Sequence, residues 1–256
     1  MAERLIQSVA RAADILELFV GTYPELSIKE ISDYLGLSKS TVHGLIKTLE
    51  HRGYLQQNPE NQKYQLGIKL LQLGNFVSKQ LDVGNIAKPI IRKLVEELHE
   101  TVHLTIFEGD EIIYIEKLEG PRALTIYSQI GKRAPVYCTG VGKSILAHLS
   151  EDEVDRLLLK ADLKPFTEFT LTDIEQIKNH LASVREQGYA IDDEEIEVGL
   201  KCIAAPIFNH EGKVVSSISC AAPKTRLDEE KLPKVIAGIK EAAAEISRRL
   251  GYKENN

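Results

Sequence analysis

Nowhere in the 256 residues does an apolar run approach the roughly 20 residues that span a bilayer. The opening MAERLIQSVARAADI has neither an apolar core nor a small-residue cleavage pattern. No secretory leader is read there, a cytoplasmic location is expected, and a membrane is not an expected partner. Cysteine is scarce too. Cys138, Cys202 and Cys220 lie too far apart for a CxxC metal site or a disulfide framework, so reduced thiols are expected, with no metal and no cofactor. Internal repeats and low-complexity tracts are missing. So is an excess of positive charge: 32 Lys+Arg against 38 Asp+Glu give a formal net charge of −6, which over the whole chain speaks against a polyanionic partner. The remaining composition, 43% hydrophobic and 27% charged, is that of a soluble globular protein. The length suits about two domains.

The most informative segment is residues 26–52, LSIKEISDYLGLSKSTVHGLIKTLEHR. Ile28, Ile31 and Leu35 make one apolar stripe of a short helix, which Gly36 stops. Ser38 is placed to cap a second helix, whose Val42, Leu45, Ile46 and Leu49 form its buried stripe. The opposite face carries Ser40, His43, Gly44, Lys47 and His51, flanked by Lys39, Thr41 and Thr48. Nothing large and apolar stands there. Two short helices with such a face are how a helix-turn-helix DNA reader is built; the plain alternative is a solvated face on an ordinary helical hairpin. The neighbours decide between them. Val9, Ala12, Ile15, Leu16 and Phe19 predict a supporting helix upstream, and residues 53–57 and 63–66 flank Asn58-Pro59-Glu60-Asn61 as a strand-turn-strand wing.

The charge is unevenly placed. Residues 1–80 hold nine Lys+Arg against eight Asp+Glu, while the remainder holds 23 against 30. Between residues 38 and 69, Lys39, Lys47, Arg52, Lys63 and Lys69 face only Glu50 and Glu60, a local positive surface of the kind phosphate contact requires.

Beyond the wing, apolar residues at 68, 71, 73, 76 and 77 predict a linking helix, and residues 82–85 break its pattern. A helix through Ile86, Ile90, Ile91, Leu94, Val95 and Leu98 follows, with Pro89 in its first turns. Strands are predicted at 102–108, 111–118 and 124–126, and a hairpin at 201–208 and 213–221. Capping boxes at Ser150/Glu153 and Thr172/Glu175 open two helices, and residues 227–252 close the chain as another. Short hairpin-paired strands with helices around them predict an antiparallel α+β domain.

Gly188-Tyr-Ala-Ile-Asp192-Asp-Glu-Glu195, six residues, Cys202-Ile203-Ala204 and then Ile207-Phe208-Asn209 resembles the C-terminal signature of the IclR family of bacterial transcriptional regulators. Residues 134–147, APVYCTGVGKSILA, resemble its second characteristic stretch, and Ser38-Lys-Ser-Thr-Val-His43 its recognition helix. The resemblance runs over nearly the whole chain. It implies a winged helix-turn-helix over 1–67, a linker helix over 68–82 and a GAF/profilin-like effector domain over 83–256, assembled as a homodimer or tetramer. It also implies that Gly140, Val141, Asp192, Leu200, Cys202 and Ser219 line an effector pocket. Where many relatives have an arginine after the recognition-helix histidine, this chain has Gly44; where some have a second pocket serine, it has Ala221.

Gly140-Val-Gly-Lys-Ser144 is not a P-loop, because Tyr137 stands where the first glycine belongs. As a glycine-rich helix start it offers the amides of Gly140, Val141 and Gly142 to a small carboxylate, unless it is simply a tight packed turn. Asp192–Glu195 read as a solvated acidic run, with Asp192 kept on resemblance alone, and His99, His103, His148, His180 and His210 are scattered. The expected function is a DNA-binding regulator, a repressor of a catabolic operon, that binds a palindromic operator and responds to a small organic acid. Ser38, Lys39, Ser40, Thr41, His43, Lys47, Arg52 and Lys63 are the expected contacts to double-stranded DNA. The alternatives are an enzyme on the C-terminal domain and a constitutive DNA-binding protein without an effector.

Overall fold

A computed structural model of the chain describes residues 6–20, 23–80, 82–121 and 128–253. It divides into two compact units, residues 1–80 and 81–256.

The first unit holds α1 (Gln7–Glu17), α2 (Ile28–Leu35), α3 (Lys39–His51), β1 (Leu55–Gln57), β2 (Tyr64–Leu66) and α4 (Ile68–Gln80). Local signals set the ends of α2. Ser27 and Glu30 form a reciprocal capping box, and Gly36 closes the helix in the left-handed conformation, φ 63°. Ser38 Oγ accepts the Thr41 amide at 3.2 Å and so starts α3. Ile15, Phe19, Leu26, Ile31, Val42, Ile46, Leu49, Leu55 and Tyr64 close a core beneath these elements. The strands pair Leu55 with Leu66 and Gln57 with Tyr64, and Glu25 accepts hydrogen bonds from Asn58 (2.7 Å) and Asn61 (2.6 Å) at the wing turn.

The second unit begins with α5 (Asp82–Leu98), so residues 82–85 lie inside a helix rather than in the predicted break. Pro89 therefore sits in the interior of α5, not in its first turns, and removes one backbone donor there. Then come β3 (Thr101–Glu108), β4 (Glu111–Leu118), β5 (Arg133–Ala134), α6 (Gly140–Leu146), α7 (Glu151–Lys160) and α8 (Ile174–Gln187). The chain continues through β6 (Ala190–Asp193), β7 (Leu200–Phe208), β8 (Val214–Pro223), a 3₁₀ turn (Lys224–Arg226) and α9 (Lys231–Arg249). The predicted strand at 124–126 lies outside the described residues. The Thr172 box is not used: Asp173 caps α8, accepting the Gln176 amide at 2.9 Å. The last helix starts later than predicted, at Lys231, whose amide donates to Asp228 Oδ1 at 2.8 Å.

The six strands form one antiparallel sheet in the order β5-β4-β3-β8-β7-β6. Successive side chains of a strand point to opposite faces. Val102, Leu104, Ile203, Ile207 and Ile218 pack with Leu94 of α5 and Ile239 of α9 on one face, while Ala204 packs with Val141 and Ile145 of α6 on the other. Glu100, buried at the start of β3, is held by Arg226 and Lys231, which ties that strand to the segment leading into α9. The architecture is mixed α+β.

Candidate functional sites

On α3 the buried Val42, Ile46 and Leu49 hold the helix against its unit and turn the opposite face outward. Lys39, Ser40, His43, Lys47 and Thr48 are all exposed, as are Ser38, His51 and Arg52; Thr41 and Lys63 are half-buried. Ser38 spends its hydroxyl locally, on the Thr41 amide and within 3.0 Å of the Ser40 hydroxyl. Two of the cations have carboxylate neighbours: Lys47 lies 2.8 Å from Glu50, and Lys63 3.3 Å from Glu30. At this exposure such pairs are weak and are readily exchanged for phosphate. Gly44 sits on the same face with nothing within 4 Å of where a Cβ would be.

The second site is a cavity of about 660 Å³ against the sheet face that carries α6. Six of the seven expected residues line it: Gly140, Val141, Asp192, Leu200, Cys202 and Ser219, with Ala221 beside them. The sheet register brings them together. Asp192 of β6 pairs with Cys202 of β7, Cys202 with Ala221 of β8, and Ser219 lies opposite Ala204. Gly140 rests on β7: a Cβ there would stand 3.3 Å from that of Ala204.

Gly142 is a correction. Its amide donates to Thr139 Oγ1 at 2.9 Å, so it is not available to a ligand. A Cβ at this position would fall 2.2 Å from the Val136 carbonyl, which makes the glycine a packing requirement of the turn.

The acidic run is a second correction. Asp192 and Glu195 are buried, at 2% and 6% exposure, because β6 and the turn after it tuck beneath α6. Lys143, itself fully buried, pairs with Glu195 and donates to the Ile191 carbonyl at 2.5 Å. A lysine so placed cannot reach a phosphate, which agrees with the rejection of a P-loop. Asp192 Oδ1 accepts the Glu195 amide at 2.8 Å. Burial, with Glu195 nearby, pushes the Asp192 carboxyl up to about 7 against the pull of Lys143. The Cys138 and Cys202 thiols are pushed up chiefly by burial, so neither is a thiolate nucleophile.

Sequence reasoning missed the other end of the cavity. His103, buried on β3, lies 2.7 Å from the Ser128 hydroxyl and edge-on to Tyr114, ring centroids 5.4 Å apart. Burial, with Lys117 nearby, lowers its pKa to about 3, so the ring is neutral. The signal was available in the alternation of β3. Val102 and Leu104 face the α5/α9 core, which leaves His103 on the cavity side. Among the described residues no three His, Cys, Asp or Glu are grouped to hold a metal, and no helix is long and apolar enough to cross a membrane.

The sequence family described as IclR helix-turn-helix domain matches residues 8–59, and that described as bacterial transcriptional regulator IclR C-terminal matches residues 75–248. The HTH-type transcriptional regulator XynR of Escherichia coli K12 is 44% identical over 248 residues, 97% of this chain and 98% of that protein. The crystal structure of the Thermotoga maritima IclR superposes with a TM-score of 0.81 at 34% identity, over 97% of this chain and 100% of that one. An IclR homolog from Microbacterium hydrocarbonoxydans, crystallised with 4-hydroxybenzoate, superposes with a TM-score of 0.83 at 26% identity, over 95% and 98%. These similar proteins are regulators rather than enzymes.

Proposed function

Because the chain belongs to the IclR family of bacterial transcriptional regulators, we propose that α3 reads the major groove of a palindromic operator and that the cavity senses a small organic acid. It acts on DNA in the cytoplasm and needs no cofactor. Residues 1–67 serve as the DNA-binding domain, 68–82 as the linker and 83–256 as the effector domain. The observation that carries the reading is the two-faced α3, anchored by Val42, Ile46 and Leu49 and presenting Lys39, Ser40, His43 and Lys47 to solvent. A two-fold assembly is supported by α4, where Ile68, Leu71 and Phe76 form a stripe that is 58–65% exposed and suits a second copy. An acid is supported by the first-turn amides of Gly140 and Val141 at the cavity and by the carboxylate bound in the similar Microbacterium structure.

Selection from random duplex DNA with the full chain should return an inverted repeat, with half-site centres about one helical turn, or a multiple, apart. Lys39→Ala should lower the slope of log affinity against log salt by about one. His43→Ala should change base preference more than affinity. An unchanged slope and preference would remove α3 from the interface. Thermal shifts with 4-hydroxybenzoate and other monocarboxylates should identify a ligand whose effect Val141→Glu abolishes while operator binding survives. A ligand response that persists in that variant would place the effector elsewhere.

A further inference from the structure

We infer that Gly44 is a specificity-determining position of α3: the side chain it lacks leaves a seat for the methyl group of one thymine in each operator half-site, and the methyl of Thr48 forms one side of that seat. The inference rests on α3 being the major-groove reader. Three circumstances call for a glycine: a left-handed backbone, a neighbour packed too close for a Cβ, or the close approach of a partner. Gly36, at φ 63°, is of the first kind, and Gly142, against the Val136 carbonyl, is of the second. Gly44 is neither. It lies in the middle of α3 in ordinary helical backbone, it is exposed, and a Cβ there would meet nothing within 4 Å. Glycine is also a poor helix former at an interior position, so the fold has no use for it there. What remains is the partner.

The chemistry of the seat selects what fills it. Ser40, Gly44 and Thr48 stand one turn apart on one face of α3, beside the row of His43 and Lys47. Ser40 Oγ lies 3.0 Å from Ser38 Oγ, and Thr48 Oγ1 donates to the Gly44 carbonyl at 2.9 Å. Both hydroxyls have partners within the chain, and the part of the Thr48 side chain left for contact is its methyl. The Gly44 amide and carbonyl belong to the helix ladder. A position with no donor or acceptor to spare gains nothing from the polar edges of adenine, guanine or cytosine. The thymine C5 methyl is the apolar group that a base pair presents in the major groove. A Cβ at position 44 would occupy the space that this methyl takes, so the open space serves only the DNA-bound chain.

The test uses the full chain and the duplex it selects from random DNA, with affinities from fluorescence anisotropy. Thymine is replaced by uracil at the same position of both half-sites, one position at a time. At one position the loss of the methyl should weaken binding about four-fold per half-site, the worth of one buried methyl group. Thr48→Ser, which keeps the hydroxyl and removes the methyl, should lose a similar factor on the thymine duplex and nothing further on the uracil duplex. Thr48→Val, which keeps a methyl, should retain the native preference. Gly44→Ala should bind the thymine duplex about ten-fold or more weakly, because two methyls cannot share the seat, while its melting temperature does not fall. A duplex with no thymine whose methyl matters, a Thr48→Ser loss of the same size on both duplexes, or native affinity in Gly44→Ala would each overturn the inference. Failure of the underlying reading looks different: Lys39→Ala would then leave both the affinity for the same duplex and its salt dependence unchanged.

Discussion

On α3 the side chains offered to a partner come from thirteen consecutive residues and stand in solvent. In the cavity they come from positions as distant as 103 and 221, on six strands and α6, and most are buried or half-buried. The first arrangement largely separates function from stability, because an exposed side chain such as Lys47 makes only a weak, solvent-screened bond, to Glu50, in the free protein. The second joins them. Asp192, Glu195, Lys143 and His103 all lie beneath the surface, where each polar group must be satisfied by its neighbours. Recognition surfaces of the first kind tolerate change; those of the second respond to it throughout the unit.

The sharpest way to break this contrast is to compare two ion pairs. Lys143→Met strands Glu195 in the interior and should cost the effector unit about 3–5 kcal/mol, read by urea unfolding. The double variant Lys143→Met/Glu195→Leu should recover much of that loss. Lys47→Ala breaks an exposed pair with Glu50 and should change stability by no more than about 1 kcal/mol. Similar costs for the two single variants would erase the distinction between the sites.

A slightly smaller effect should appear with pH. The Asp192 carboxyl titrates near 7 in the fold and near its ordinary value of 3.8 when unfolded, so the folded chain binds the proton more tightly. Its contribution is fully present at low pH and is lost as pH rises from about 4 to about 7, by up to about 4 kcal/mol. Urea midpoints at pH 5 and pH 8 should therefore differ more in the native chain than in Asp192→Asn. An unchanged difference would show that Asp192 is ionised throughout.

Glycines give the smallest and most local comparison. Gly142→Ala drives a methyl into the Val136 and Pro135 carbonyls and should destabilise by about 1–3 kcal/mol. Gly44→Ala meets open space on an exposed helix face and should stabilise by up to about 1 kcal/mol. Thermal melts of both variants test the pair, and a destabilising Gly44→Ala would mean that the α3 face is not free.

The same difference explains which features could be read early. Everything needed to see α2 and α3 lies within one turn of its own position: the Ser27–Glu30 box, the Gly36 stop and the Ser38 cap. Where that locality failed, a neighbouring competitor won. Asp173 displaced Thr172 as the cap of α8, and α5 ran back through residues 82–85 although its chain carries Gly84 and Pro89. The cavity was legible only through family resemblance, which supplied residues without their surroundings. Gly142 fell among the expected ligands because a glycine-rich helix start looks the same in sequence whether its amides are free or capped. Glu195 was taken for a solvated acid because a run of four acids gives no hint that Lys143 waits inside, 52 positions earlier.

Caps, stops and periodicity act over a few residues, and so the helix-turn-helix, its outward face and the alternation that gives each strand one apolar side are written locally in the chain. Tertiary structure alone decided the cavity. Only the order β5-β4-β3-β8-β7-β6 sets His103 beside Ser219, and Cys202 beside Asp192. Only burial then fixes their chemistry, keeping the histidine neutral and lifting the aspartate, because the cost of a charge depends on the water around it rather than on the residues next to it in the chain.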